Sequence, residues 1–408
     1  MRALVIAGGV PQIELMKQMR ERGIESVLLD GGKTPVALPY ADRFYQVNIF
    51  DIDAVTEIAR KEKADFVITV CADQVLLVMA EVSERLGLPC YIDFETGKNV
   101  SDKLRMKKIF RENGIPTSLH VETNRLDLDE ISHLRYPLVV KPVDAYSSRG
   151  VRKAETEEEL IGFYNEAASI SRSGGVIVEE FCEGEEISVD AFVVNGKSKV
   201  LLISNSEKVK DKDRFVIFRG RYPAAVTEAL KAKIEVICQK IVDAFGLVNC
   251  PLLVQLLSDG ENVSVLEFCA RTGGCMKYLL IRNSCGVDVI SAALDLSLGI
   301  EPEIKPADTG NRYVVNDFIY GYPGVFDHLE GFEELKNEGI LNEYFAIRPA
   351  GFEARGVTSS SDRIAGVNIC AGSLEEFREK HKAFLERTRV ADTEGRDIMR
   401  RDLLPELK

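Results

Sequence analysis

The chain has no tryptophan and only four histidines among its 408 residues: His120, His133, His328 and His381. They lie far apart without ligand spacing, which argues against a histidine-built metal centre and against a Ser-His-Asp or Cys-His nucleophile set. Nine cysteines occur, but none pair as CxxC, and several sit in apolar runs such as FVITVC and IEVICQKIV. That pattern excludes a zinc ribbon and points to reduced, buried thiols in a cytoplasmic protein. No run of roughly 18 apolar residues is present, and the opening MRALVIAGG is too short an apolar stretch for a signal peptide. Long basic runs are missing too, and the formal charge is −13. Nucleic acid and acidic membranes are therefore poor partners, and an anionic ligand has to be held by local positive groups. Two phosphate-binding signatures are also absent. AGGVPQ lacks the third glycine of G-x-G-x-x-G, and no G-x-x-x-x-G-K-[ST] occurs.

What is present is ordinary for a globular protein: 45% hydrophobic and 29% charged residues, in a chain long enough for several domains. Residues 1 to about 100 alternate apolar strands (RALVIAG, SVLLD, DFVITV) with amphipathic helices, a βαβ series that predicts a parallel sheet. Asp51 or Asp53 is placed to cap one helix, and Asp73 to open the next, QVLLVMAEVSERLG. The Gly8-Gly9 pair after the first strand fits either a tight turn or the rim of a substrate pocket. A helix is expected from Asp102 to Asn113, stopped by Gly114 and Pro116. Thr156 with Glu159 reads as a capping box, Asn195-Gly196 as a hairpin turn, and Thr227 as the cap of an amphipathic helix. Residues 251–271 read as two strands joined by an Asp-Gly turn, and the tail beyond about Glu301 as strands with one charged helix.

The segment YPLVVKPVDAYSSRGV (136–151) runs an apolar strand into Lys141 and then into a small polar loop. A lysine at a strand end, beside a loop whose N–H groups can turn to one point, suits a phosphate; a basic cap before a plain turn is the alternative. VEEFCEGEE (178–186) offers main-chain groups to a flat heteroaromatic edge. Glu179 can accept from an exocyclic amine and Glu186 from ribose hydroxyls, or the acids can simply solvate a hairpin. Gln255 and Glu267 are polar residues inside the apolar runs LLVQLL and VSVLEF. On adjacent strands they can face the same side and hold Mg²⁺ with substrate phosphates, or be hydrogen-bonded core. The basic segment Lys208–Arg221 leaves Arg219 or Arg221 as a contact to a substrate carboxylate or a phosphate, or as a solvated loop.

Taken in order, DK (102–103), VVKP with its Ser/Gly loop (139–150), VEEFCEGEE (178–186) and Q…LEFCARTGG (255–274) resemble the ATP-grasp superfamily, over roughly residues 1 to 300. The resemblance is to carboxylate–amine ligases and carbamoyl-phosphate-synthetase-like members, L-amino-acid ligases among them. It implies α/β and α+β architecture: a parallel-sheet, Rossmann-like domain (1–100), an ATP-grasp lid (101–190), a central ATP-grasp subdomain (191–300) and a C-terminal α+β extension (301–408). Position by position it implies that Lys103 and Lys141 contact ATP phosphates and that Ser147, Ser148 and Gly150 belong to the loop covering them. Glu179 would meet the adenine amine, Glu180 and Cys182 would offer backbone groups, and Glu186 would bind ribose. Gln255 and Glu267 would hold Mg²⁺ or Mn²⁺. Arg271, with Lys141, would be catalytic, facing the substrate carboxylate or an acyl phosphate. Cys269 departs from the asparagine of the family's E-x-N-x-R run, and a neutral thiol is a poor Mg²⁺ ligand.

The function so implied is ATP-dependent activation of a small-molecule carboxylate, an amino acid first among candidates, as an acyl phosphate that an amine then captures. Partners are the two small substrates, without nucleic acid or membrane, and a homodimer is compatible with the reading. A bicarbonate-activating, carbamoyl-phosphate-type enzyme is the alternative, although no biotin-attachment Met-Lys-Met is present. An ATP-binding protein with degraded chemistry, motivated by Cys269, is the other.

Overall fold

The computed structural model describes residues 1–73, 75–145, 148–209 and 214–407. The chain opens with a parallel four-stranded sheet in the order Arg43–Gln46, Glu25–Asp30, Arg2–Ile6, Phe66–Ile68. Ala3 to Ile6, Val27 to Leu29 and Phe66 to Ile68 are buried, as a parallel sheet covered on both faces requires. Gly8 donates its N–H to Asp30 Oδ2 at 2.7 Å, and a Cβ there would stand 2.6 Å from Pro35 Cβ. The glycine thus serves a tight turn with close packing. Asp51 caps helix Ile52–Glu62 as expected. Asp73 does not cap the following helix, Leu76–Leu86, which has no side-chain cap. Its carboxylate goes to Arg271 instead.

Helix Lys103–Glu112 starts at Asp102, whose side chain accepts from the N–H groups of Leu104 and Arg105. It leads into an antiparallel lid sheet in the order His120–Thr123, Val176–Glu180, Leu138–Pro142, Arg152–Ala154. Helix Glu157–Ile170 is capped by Thr156, while Glu159 reaches back to the N–H of Glu155, one residue earlier than a capping box has it. The lid keeps a small core of its own, including Leu138, Val140, Leu160, Tyr164 and Val178.

The lid sheet ends at Glu180, and the next strand, Glu185–Val194, already belongs to the central sheet. The junction therefore falls at residues 181–184, ahead of the expected border at 190. Gly184 permits it: its φ is +141°, and a Cβ would meet Ser258 O at 2.3 Å. Gly184→Ala should cost roughly 1–3 kcal/mol through strain and a backbone clash. Chemical denaturation of the variant checks this, and an unchanged midpoint would contradict the packing described.

The central sheet is antiparallel and eight-stranded, in the order Val263–Cys269, Cys250–Ser258, Glu185–Val194, Lys197–Lys208, Ile217–Tyr222, Tyr313–Ile319, Ala365–Ala371, Glu343–Ala346. Its last three strands come from the tail, so residues beyond 301 extend this sheet, and they also form a separate three-stranded sheet in the order Glu353–Ala354, Gly324–Glu330, Arg389–Asp392. The apolar strands YVVNDFI and AGVNICA are buried and find their cover there. Asn195 and Gly196 have φ of 49° and 73°, as a two-residue hairpin turn needs. Helix Glu228–Phe245 lays Leu230, Ile234, Ile237, Ile241 and Phe245 on the sheet, the stripe the sequence predicts. All nine cysteines are free. No helix among the described residues is long and apolar enough to cross a membrane.

Candidate active site

A cavity of 280 Å³ lies between the lid sheet and the central sheet. Val139, Lys141, Ser148, Glu179, Phe181 and Cys182 line the lid side; Glu186, Lys208, Phe215, Gln255, Leu257 and Glu267 line the sheet side, with Lys103 at one end. The architecture explains why these distant segments meet. Lys141 and Glu179 sit on neighbouring lid strands, while Glu186, Gln255 and Glu267 sit on three successive central strands. Ser148 is on the rim with φ 58°. Gly150 supports the same loop without lining the cavity, since a Cβ there would come within 2.9 Å of both Ile170 and Pro142. Ser147 lies outside the described residues.

Glu179 is 3% exposed, and its carboxylate takes three donors: Lys141 Nζ at 2.6 Å, Ser118 Oγ at 2.7 Å and Lys107 Nζ at 3.0 Å. Burial alone would raise its pKa, but the lysines and the hydroxyl outweigh burial and hold it well below the usual carboxylate range. About four lone-pair sites serve a carboxylate, so roughly one remains for a ligand amine. The Glu180 side chain turns away to Arg135, leaving main-chain atoms at the cavity. Cys182 sits outside both flanking strands, and its N–H donates to no main-chain carbonyl among the described residues. Phe181 and Phe215 stand 6.2 Å apart and, with Val139, Leu257 and Leu266, give the cavity an apolar slot.

Glu186 Oε1 accepts from Gln255 Nε2 at 3.1 Å, and Oε2 pairs with Lys208 at 2.6 Å. Gln255 stands directly opposite Glu267, a bulge beside Gln255 keeping that register despite a turn longer than two residues. Glu267 is not the buried carboxylate that its apolar strand implied. Its side chain is 37% exposed, and among the described residues its cation partner is Lys103, 3.8 Å away. Lys103 also donates to Ala145 O at 3.0 Å.

This edge suits Mg²⁺ in a limited way. The Gln255 carbonyl and the open Glu267 carboxylate are hard oxygen donors, and Mg²⁺ needs only one or two protein ligands when phosphates complete its shell. Among the described residues no cluster of three acidic, histidine or cysteine ligands exists, so the protein alone does not cage an ion. Burial pushes the Cys269 thiol well up, keeping it neutral, and Arg271 contacts its Sγ. The thiol stays outside the metal set.

Arg271 is 5% exposed and held by Asp73 from the connection between strand Phe66–Ile68 and helix Leu76–Leu86. Burial opposes its charge, but Asp73 more than compensates and its pKa is raised. Asp73 opens onto an adjoining cavity of 610 Å³, which also meets Lys103, Glu267 and Cys269. Arg271 thus stands behind Asp73 rather than in the open. Nearby, Asp190 is 2% exposed, with Lys277 Nζ at 3.2 Å and no hydrogen bond to either oxygen among the described residues; burial raises its pKa. Sequence reasoning passed over Lys107 and Asp190, and within the segment Lys208–Arg221 it singled out Arg219 and Arg221, whereas Lys208 is the residue that lines the cavity. Lys107 and Asp190 carried a readable signal, a charged residue on an apolar stripe (Met106, Lys107, Phe110) or within an apolar strand (ISVDAFVV).

Arg219 and Arg221 do not reach this cavity. Arg219 is fully buried in the part of the sheet that receives the tail, bonded to Asp317 at 2.5 and 3.1 Å, with His381 at 3.1 Å. Arg221 pairs with Glu207 at 2.9 Å. Residues 210–213 lie outside the described residues. Burial raises the Asp317 carboxyl, but Arg219 overrides it and brings the pKa to about 2 from 3.8. A depressed carboxyl stabilises the fold above its unfolded pKa and loses that contribution as pH falls through the folded value. Roughly 2 kcal/mol should therefore disappear between about pH 4 and pH 2. Asp317→Asn should start roughly 3–5 kcal/mol less stable and lack this acid-side loss. Unfolding free energies measured across that range check both.

Residues 134–278 match the family model described as ATP-grasp domain. The carbamoyl phosphate synthase large chain of Clostridium acetobutylicum is 23% identical over 291 residues, 69% of this chain but 26% of that protein. This chain thus spans about a quarter of the length of such relatives. The formate-dependent phosphoribosylglycinamide formyltransferase of Sulfurisphaera tokodaii is 24% identical over 93% of this chain and 94% of its own length. Among solved structures, L-amino acid ligase from Bacillus licheniformis superposes with a TM-score of 0.79 at 21% identity, covering 96% of this chain and 98% of its own. Phosphoribosylglycinamide synthetase from Anaerococcus prevotii gives 0.75 at 20% identity, covering 96% and 99%. Residues 134–278 thus match an ATP-grasp domain, and with the lid, the central sheet and the cavity between them the chain shares the fold of these solved structures.

Proposed function

We propose that the chain is an ATP-dependent ligase that activates a small-molecule carboxylate, most simply that of an amino acid, and joins it to an amine. The observation that carries this is the single cavity on which Lys103, Lys141, Glu179, Glu186, Gln255 and Glu267 converge. The apolar slot lined by Phe181, Phe215, Val139, Leu257 and Leu266 takes the adenine ring. Main-chain atoms of Glu180 and Cys182 and the free lone pair of Glu179 read its edge, and Glu186 takes the ribose. Lys103 and Lys141 neutralise the phosphates, and Ser148 and Gly150 shape the loop above them. Gln255 and Glu267 would hold Mg²⁺, whose charge would neutralise the phosphate oxygens.

The adjoining cavity, bordered by Asp73, Lys103 and Glu267, receives the carboxylate substrate. A carboxylate oxygen attacks the γ-phosphorus, the bond to the β-phosphate oxygen breaks, and ADP leaves. The amine nitrogen then attacks the acyl carbon, and phosphate departs with the former carboxylate oxygen. No covalent enzyme nucleophile is required, in keeping with the scattered histidines; position and charge carry the chemistry. Arg271 faces the developing oxyanion once the substrate carboxylate displaces Asp73 from its guanidinium.

Phosphate release from ATP across a panel of amino-acid pairs, followed by mass spectrometry of products, tests the reading. No release with any pair, under conditions where nucleotide binds, would reject it. Bicarbonate belongs in the panel, because carbamoyl phosphate synthase chains are among the relatives. ADP formation driven by bicarbonate alone would move the assignment to carboxyphosphate chemistry.

A further inference from the structure

Behind Glu179 stands a lysine that lines neither cavity. Lys107 is 2% exposed, its Nζ 3.0 Å from Glu179 Oε2. It donates to Thr117 Oγ1 at 2.6 Å and to Ser118 Oγ at 3.1 Å, and the Ser118 hydroxyl in turn donates to Glu179 Oε2 at 2.7 Å. On the cavity side of the same carboxylate is Lys141, at 2.6 Å. Two ammonium groups thus share one buried carboxylate, leaving a net positive charge beside a cavity read as a phosphate site. Lys103 and Lys107 lie one turn apart on the same helix, so a single element sends one cation to the Glu267 edge and another to the back of Glu179.

We infer that Lys107 is the standing counter-ion of Glu179, which frees Lys141 to leave that carboxylate for a nucleotide phosphate. The inference rests on the nucleotide reading given above. With one lysine alone, Glu179 and Lys141 would neutralise each other, and moving Lys141 would strand a buried carboxylate. Lys107 cannot make that move itself, since Thr117, Ser118 and its burial fix it. Lys107 is therefore a positioning residue that acts through Glu179 on Lys141.

Lys107→Met tests this without leaving an unpaired charge, because Lys141 and Glu179 still match. Binding of ATP and of adenosine is measured by calorimetry for wild type, Lys107→Met and Lys107→Met/Glu179→Gln, with thermal unfolding of each. ATP affinity should fall about 10-fold or more in the single variant, as for a lost charged partner, with adenosine affinity held within about twofold. Judged against its own adenosine affinity, which carries the adenine contact of Glu179, the double variant should bind ATP more tightly than the single one, since Lys141 then has no carboxylate to leave. Equal weakening for ATP and adenosine in the single variant, or a double variant whose ATP affinity relative to adenosine is weaker still, would reduce Lys107 to a packing role and overturn the inference. If Lys107→Met does not fold, Lys107→Gln keeps a donor to Thr117 and Ser118 and carries the same comparison. Wild-type protein that binds no ATP would overturn the nucleotide reading and this role together. Wild-type binding with an unchanged Lys107→Met affinity would overturn this role alone.

Discussion

Lys141→Ala should lower substrate-dependent phosphate release from ATP on the order of 10²-fold or more, the size of loss seen when a transition-state donor is removed. The ammonium stands at the end of strand Leu138–Pro142, where its backbone is fixed in the lid sheet, and its only carboxylate partner among the described residues is Glu179. Removing it leaves Glu179 with Lys107 and Ser118, so the buried charge stays compensated. The fold should therefore survive, and the loss should be in turnover rather than in the amount of native protein. Steady-state phosphate release, read beside the thermal midpoint of the same preparation, checks both halves. A variant that unfolds without losing specific activity per native molecule would make Lys141 structural.

Glu267→Gln should have an effect of about 10²- to 10³-fold on turnover, with a raised Mg²⁺ requirement. Glu267 supplies the carboxylate of the metal edge, beside the neutral Gln255, and the nearby Cys269 thiol cannot replace it. The side chain is more than a third exposed and its ion pair with Lys103 is 3.8 Å long, so the stability cost should be small, within about 1 kcal/mol for such a pair. Nucleotide binding measured with a chelator present should change little. Titrating Mg²⁺ at saturating ATP separates the readings. If full activity returns at wild-type Mg²⁺ concentrations, the ion does not depend on Glu267.

The residues that could be read from sequence were those whose chemistry disagreed with their local pattern. Lys141 ended an apolar strand before a polar loop, and Gln255 and Glu267 interrupted apolar strands. Each disagreement survived as a residue lining the cavity. Helix limits were legible for the same local reason, with Asp51, Thr156 and Thr227 capping where expected. What escaped was long-range pairing. Asp73 looks like a cap in its own segment, and only the fold brings Arg271, nearly two hundred residues later, to its carboxylate. Arg219 sits in a segment that reads as a basic loop, yet it is buried against Asp317 from the tail. The apolar residues of Tyr313–Ile319 mark a strand without naming Ile217–Tyr222 as its partner, so the tail's membership of the central sheet was invisible. The same holds for Glu179, whose partners Ser118, Lys107 and Lys141 come from three separate elements.

The central claim is that a carboxylate oxygen attacks the γ-phosphate in this cavity. The most direct measurement supplies a pool of amino acids labelled with ¹⁸O in their carboxylates, with unlabelled ATP and water, and weighs the phosphate released. Transfer through an acyl phosphate predicts one ¹⁸O in each phosphate formed. Phosphate that carries no label, released while the nucleotide is turned over with the labelled pool, would contradict the account.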